Sequence, residues 1–377
     1  MDFRTRVVHG GDHPQDASGA VTVPISLAAT YAHPGVGQST GFDYARTASP
    51  TRQHLERLVA DLEYGVDAVA TSTGLAALAL IGEFFAPGDH IIHSEDLYGG
   101  TIRYFRTVMA KNGVTFSAVD TNDVAAVRAL ITPATKAIFV ETPTNPMMQV
   151  TDIAAVTAVA KEHGLVTIVD NTFLSPYYCN PILLGANIVM HSGTKYLGGH
   201  NDSLAGYVIV DSEERAQKMR TLSGSIGAVL GAFDAYLQIR GIKTLALRMD
   251  AASANALEIA QWLRTHPKVK AVHYVGLPDH PQYEISKRQA RGFGAMVSVE
   301  LDSAETATTL LNRIQVAQYA ESLGGVETLI TYPITQTHAD VPAAEREARG
   351  ITDRLLRISV GIEAAADLIA DLEQALK

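Results

Sequence analysis

From residue 51 to residue 235 the chain alternates short, wholly apolar runs with stretches of helical period, and this alternation limits its fold more than any other feature. The apolar runs read as strands at His90 to His93, Val114 to Val119, Ala137 to Val140, Leu165 to Val169, Ile188 to Met190 and Gly206 to Val210. Between them Thr101 to Lys111, Val124 to Leu130 and Ile153 to Glu162 have helical patterns, the first and last followed by Gly113 and Gly164. A strand that is apolar throughout needs cover on both faces. The pattern therefore predicts an α/β fold, a mostly parallel sheet covered by helices.

The flanks differ. Residues 1–50 are dense in breakers (Gly10-Gly11, Pro14, Pro24, Pro34-Gly35, Gly41, Pro50) and predict an N-terminal arm without a core of its own, laid over a neighbouring subunit. Residues 51–235 form the expected large domain. After Leu237 a long helical stretch runs through Met249 to Trp262 into a smaller α+β C-terminal domain, 236–377. Its strands are expected near Ala271 to Tyr274, Ala295 to Leu301 and Leu356 to Val360, with a final helix from Ala364 to Leu376.

Composition narrows the function. A chain of 377 residues, 47% hydrophobic, can bury a large core, and a net charge of −10 argues against nucleic-acid or anionic-membrane partners. The single cysteine, Cys179, rules out an intrachain disulfide and fits a reducing compartment. The polar start and the absence of a long apolar run predict a soluble, cytoplasmic protein.

Three expected strands end in polar sequence. Ala137 to Val140 runs into Glu141-Thr142-Pro143-Thr144-Asn145-Pro146, Leu165 to Val169 into Asp170-Asn171-Thr172, and Ile188 to Met190 into His191-Ser192-Gly193-Thr194-Lys195. In open α/β sheets ligands sit beyond the carboxyl ends of strands, so parallel strands would gather Asn145, Asp170 and Lys195 at one edge. Thr71-Ser72-Thr73-Gly74 precedes the apolar helix Leu75 to Glu83 and offers free N–H groups to an anion. Singly, each has an ordinary explanation: a solvated lysine, a capping aspartate, a turn before proline, a helix N-cap. Together they are what pyridoxal phosphate needs: an amine for an imine, a carboxylate for the ring nitrogen, and donors for the phosphate.

Rival motifs fail. Gly35-Val36-Gly37-Gln38-Ser39-Thr40-Gly41 is one residue too long for a dinucleotide loop and follows no strand. His90 and His93, three apart in a strand, point to opposite faces, so no metal site is expected.

The same residues resemble the Cys/Met-metabolism pyridoxal phosphate enzymes, the transsulfuration family. The likeness runs from about Thr5 to Leu376 and is carried by Tyr44-Ala45-Arg46, Asp96 to Thr101, Glu141 to Pro146, Val169 to Phe173, His191 to His200, Glu321 to Gly325 and Arg357 to Gly361. It implies the aspartate-aminotransferase-like transferase fold, fold type I. It also implies that Lys195 holds the cofactor covalently, Asp170 pairs with the ring nitrogen and Tyr98 stacks on the ring. Gly74, Leu75, Ser192 and Thr194 would bind the phosphate, and Tyr44 and Arg46 would reach it from a neighbouring subunit. Arg357 would hold the carboxylate of an amino-acid substrate. Asn145, which also borders the cofactor, and Ser322 would assist it. A homotetramer, a dimer of dimers with shared sites, follows from the same likeness. Ser49, Thr73-Gly74-Leu75 and Gly193 depart from the family pattern in small ways that keep a hydroxyl or the backbone donors.

By this likeness Lys195, freed from the cofactor, moves protons on the substrate, with Tyr98 as helper. Glu321 is suited to the distal ammonium of cystathionine or of incoming cysteine, and Arg103 to a distal carboxylate. The sequence around Thr40 to Thr47 and Ile330 to His338 looks most like bacterial cystathionine γ-synthases, which replace the acyl group of O-acylhomoserine with cysteine or sulfide. A cystathionine γ-lyase or β-lyase is the alternative, and a non-catalytic pyridoxal phosphate-binding regulator a distant one.

Overall fold

The computed structural model describes residues 1–11, 19–339 and 341–377. Seven strands form the larger sheet: β1 (Asp67–Thr71), β2 (His90–Ser94), β3 (Thr115–Val119), β4 (Thr135–Glu141), β5 (Val166–Asp170), β6 (Ile188–Ser192) and β7 (Gly206–Val210). Their order is β1-β7-β6-β5-β4-β2-β3. Strands β3, β2, β4, β5 and β6 are parallel, and β7 runs antiparallel to both β6 and β1. The apolar runs are explained by the pleat. Ile91 and Ile92, Ile138 and Phe139, Ile168 and Val169, and Val208 and Ile209 each send one side chain into either of two cores. Helices Pro50–Glu63, Ile153–Glu162 and Leu245–Leu263 close one face, and Gly74–Gly82 and Glu213–Ile226 the other.

The second sheet is built from β8 (Val269–His273), β9 (Met296–Leu301), β10 (Gln318–Tyr319), β11 (Leu329–Thr331) and β12 (Leu355–Ser359), in the order β10-β11-β12-β9-β8. All its pairs are antiparallel except β10 with β11. Among the described residues no helix is long and apolar enough to cross a membrane.

Three local expectations change. The helix expected at Thr101 to Lys111 starts earlier, as Gly99–Tyr104, and continues through a π-helical turn, Phe105–Met109. The long helical stretch is two helices, Ala232–Ile242 and Leu245–Leu263. Near their junction Gly241 lies so close to the Gly198 carbonyl that a Cβ would overlap it. The arm is not wholly without an anchor on its own chain. Residues before the first breaker form a helix, Phe3–His9, with Val7 buried and Arg4 and Arg6 paired with Asp250 and Asp61. Of the breakers, Pro14 lies outside the described residues. From residue 19 to 48 the chain has no helix or strand longer than an isolated bridge and leaves Val21, Leu27 and Val36 exposed.

Candidate active site

The carboxyl ends of β4, β5 and β6 deliver Glu141, Asp170 and Ser192 to one cavity of about 380 Å³. The loops beyond them add Asn145 and Lys195, and the other sheet adds Arg357 from β12 with Glu321 and Ser322 from the loop before β11.

Lys195 donates from Nζ to Ser322 Oγ at 2.7 Å. Burial and then the Arg357 charge lower its amine to about 8, against the opposing pull of Glu321. Ser322 holds its place at a φ of 87°, in the left-handed region that costs about 1–3 kcal/mol for a residue with a Cβ.

Asp170 Oδ1 accepts from Thr172 Oγ1 at 2.5 Å and from the Thr172 N–H at 3.0 Å. Burial pushes its carboxyl up, while these bonds and the nearby His191 draw it down. Thr172 Oγ1 also accepts the Ser192 N–H at 2.9 Å, which ties the ends of β5 and β6 together.

Glu141 faces Asp170 in the β4–β5 register. Its carboxyl accepts the Tyr98 N–H at 2.9 Å and the Asn145 N–H at 3.1 Å. Burial, and then the charge of Asp170, push it well above the ordinary carboxylate range. The Tyr98 ring lies over Gly100, where any Cβ would overlap it.

Arg357 is buried and donates to Asn145 Oδ1 at 2.9 Å, to the Ser322 carbonyl at 2.8 Å and to Thr331 Oγ1 at 2.9 Å. None of these acceptors is a carboxylate, and its Nε has no partner. Burial lowers it to about 10, so it keeps its charge at neutral pH.

Opposite, Thr73 caps the helix Gly74–Gly82 by accepting the Ala76 N–H at 3.0 Å. The N–H groups of Gly74 and Leu75 belong to its first turn, which has no intrahelical acceptors. Gly74 abuts Ser192, where a Cβ would meet the serine side chain at 3.0 Å. Gly74, Leu75, Ser192 and Thr194 all line the cavity. A helix start with two hydroxyls, a free amine, a buried carboxylate and an open aromatic ring in one cavity fit pyridoxal phosphate. The uncompensated Arg357 guanidinium, with Nε spare, fits a substrate carboxylate beside it.

Three expected residues are not brought into this cavity. Tyr44 is half-exposed and lies under the Arg46 guanidinium, which donates to the Gly224 carbonyl. Arg103 is exposed on the helix after Tyr98. Sequence reasoning in turn missed Glu141, Thr172 and Thr337 as lining residues. The signal for Glu141 was present, since it ends its strand as Asp170 ends the next one.

The comparisons agree with this geometry. A family model for the Cys/Met metabolism PLP-dependent enzymes matches residues 4–377. A cystathionine β-lyase of Lactococcus lactis is 48% identical over 375 residues, covering 100% of this chain and 99% of the relative. A Bacillus subtilis cystathionine γ-synthase/O-acetylhomoserine (thiol)-lyase is 48% identical over 372 residues, covering 99% and 95%. The crystal structure of Lactobacillus plantarum cystathionine γ-lyase complexed with L-serine superposes with a TM-score of 0.97 at 46% identity, covering 100% of this chain and 98% of that one. With the match spanning nearly every residue and the cavity holding the lysine, carboxylate and phosphate-type cradle, the chain belongs to the Cys/Met metabolism PLP-dependent enzyme family.

Proposed function

We propose that this enzyme acts on cystathionine at its Cγ–S bond, cleaving it. The observation that supports cystathionine as the ligand is the pairing of two opposite charges around Lys195, Arg357 for the α-carboxylate and Glu321 for the distal ammonium, both lining the same cavity; the synthesis of cystathionine would use the same pair. Pyridoxal phosphate, when bound, supplies the electron sink for a carbanion at Cα. Asp170 would support that sink at the ring nitrogen, Tyr98 would cover the ring, and Gly74, Leu75, Ser192 and Thr194 would hold the phosphate. Lys195, as a free amine, takes the Cα proton and returns protons along the substrate; Ser322 orients it.

A second reading, synthesis of cystathionine from O-acylhomoserine and cysteine, is favoured by the sequence around Thr40 to Thr47. Relatives named lyase and synthase match at the same 48% identity, so likeness alone does not prefer synthesis. Supplying cystathionine in one reaction and O-acetylhomoserine with cysteine in another separates the two. Fast 2-oxobutyrate release in the first supports cleavage at Cγ. Cystathionine accumulating in the second with little 2-oxobutyrate in the first reverses the assignment, and pyruvate would mean cleavage at Cβ.

Tyr44 and Arg46 fit the same reading as groups offered to the cofactor phosphate of a neighbouring copy, within a homotetramer. Their exposure away from the chain's own cavity supports this. Light scattering on wild type and an Arg46→Ala variant, together with cofactor affinity, tests it.

A further inference from the structure

The breaker-rich arm meets the large domain at Arg52, in the first turn of the helix Pro50–Glu63, a residue that no step above uses. Arg52 is 3% exposed. One terminal nitrogen of its guanidinium donates to the Ala45 carbonyl at 2.7 Å and to the Arg46 carbonyl at 3.4 Å, and the other donates to the Leu230 carbonyl at 3.4 Å. Its Nε faces Glu56, one turn further along the same helix, at 3.4 Å.

Glu56 is buried and is itself held in place. One of its oxygens accepts the Ala70 N–H of β1 at 3.0 Å, and the other accepts from Arg220 at 2.6 Å. Arg220, on the helix Glu213–Ile226, also grips Asp67 at the start of β1 through two hydrogen bonds of 2.7 and 2.6 Å. A buried guanidinium with a carboxylate and three carbonyls around it has its hydrogen-bonding needs met, so Arg52 can be rigid without being exposed. The far end of that rigid group is the backbone between Tyr44 and Arg46. The arm folds back on itself there, with the Ala45 N–H on the Ala29 carbonyl and the Tyr31 N–H on the Asp43 carbonyl. Gripping Ala45 therefore fixes a folded-back segment rather than one residue.

We propose that Arg52 is a positioning residue for the cofactor site of a neighbouring copy: by holding the Ala45 and Arg46 carbonyls it sets where Tyr44 and Arg46 stand, and so how well that copy binds the cofactor phosphate. This rests on the reading of Tyr44 and Arg46 given above. Arg52 touches neither cofactor nor substrate. The planar fork matters, because a lysine has a single nitrogen and cannot serve Glu56 and the carbonyls of Ala45 and Leu230 together.

The test uses the full chain, with pyridoxal phosphate affinity and melting temperature as readouts. Arg52→Lys keeps a positive charge beside Glu56 but loses the fork, and is expected to weaken cofactor binding on the order of tenfold. Arg46→Ala is the reference for the arm itself. If Arg46→Ala leaves affinity unchanged, the reading of the arm falls and takes the proposal with it. If Arg46→Ala weakens binding while Arg52→Lys does not, or moves only the melting temperature, Arg52 is merely structural, and the proposal falls while the arm reading stands.

Hybrids show whether the effect crosses between copies. The Arg52→Lys chain is co-expressed with an excess of Lys195→Ala chain, so that nearly every Arg52→Lys chain faces an intact arm. Borohydride then labels only chains that keep Lys195. Labelling against pyridoxal phosphate concentration is expected to return to the wild-type midpoint. A midpoint that stays weak places the effect within the chain itself, through Glu56 and β1, and overturns the proposal. Should Arg52→Lys fail to fold, Glu56→Gln keeps an acceptor for the Ala70 N–H and loosens the hold on Arg52. It is expected to give a smaller loss of affinity that the hybrid restores; no loss, or a loss the hybrid leaves in place, overturns the proposal.

Discussion

Arg357 of β12 donates to Asn145, in the loop after β4, across 2.9 Å, so this hydrogen bond helps join the two sheets at the cavity. The guanidinium has no carboxylate of its own there, and its planar fork serves three neutral acceptors at once. Lysine has neither the fork nor the reach. Arg357→Lys is expected to raise KM and lower kcat/KM about 10- to 100-fold, the loss of one or two charged hydrogen bonds worth about 1.5–3 kcal/mol. Steady-state kinetics with the amino-acid substrate measure this. An unchanged KM would show that the carboxylate binds elsewhere.

Lys195 stands at about 8 because burial and Arg357 both disfavour its charged form. It reacts with an aldehyde only as the free amine. Cofactor uptake by the apoprotein is therefore expected to accelerate as pH rises through about 8, then level off, where an unperturbed lysine would keep gaining towards 10.5. Glu321 pulls the amine upward, so Glu321→Gln should move the midpoint to lower pH. Stopped-flow absorbance against pH reads both midpoints, and a Glu321→Gln shift to higher pH contradicts the electrostatic account.

On the proposed function, the same Glu321 would carry the choice of substrate. Measured above the Lys195 midpoint, Glu321→Gln is expected to lower kcat/KM for cystathionine about tenfold, roughly 1–2 kcal/mol for a partly desolvated ion pair. O-Acetylhomoserine lacks a distal ammonium and should respond less. Equal losses with both would remove Glu321 from distal recognition.

On the proposed function, replacing Lys195 by alanine would remove both the covalent anchor and the proton carrier. Activity should fall by at least about a thousandfold, within the range for a lost general base. Borohydride reduction of wild type followed by peptide mapping should label the Lys195 peptide, and a label elsewhere would overturn the site.

Glu141 is a stability residue as well as a cavity wall. Its carboxyl accepts the N–H groups of Tyr98 and Asn145 together. Glu141→Ala strands two buried donors, for a cost of about 2–4 kcal/mol. Glu141→Gln keeps one acceptor and should lose about half of that. Denaturant unfolding of both variants gives the comparison.

Much of this was readable in the sequence, and for a physical reason. In the inner strands β4, β5 and β6 the runs Ala137 to Val140, Ile168 to Val169 and Ile188 to Met190 are buried and apolar, so a polar residue such as Asp170 stands out at the end. β1 did not stand out, because Asp67-Ala-Val-Ala-Thr is short, alanine-rich and bounded by an acid that pairs with Arg220. The helix Phe3–His9 is too short for periodicity to show, and only Val7 of its residues is buried. Glu63 and His191 are 128 residues apart. Nothing local marks either as a buried partner of the other; only the folded sheet brings them together. Tyr98 and Lys195 were legible because each lies within a run of specific neighbours, whereas Thr337 is one threonine among several.

Gly99 packs so tightly under the Thr337 carbonyl that a methyl group there would collide with it. A designer who transplants the C-terminal half of a relative onto this scaffold must therefore keep that glycine, or the grafted loop will be held open like a door on a wedge.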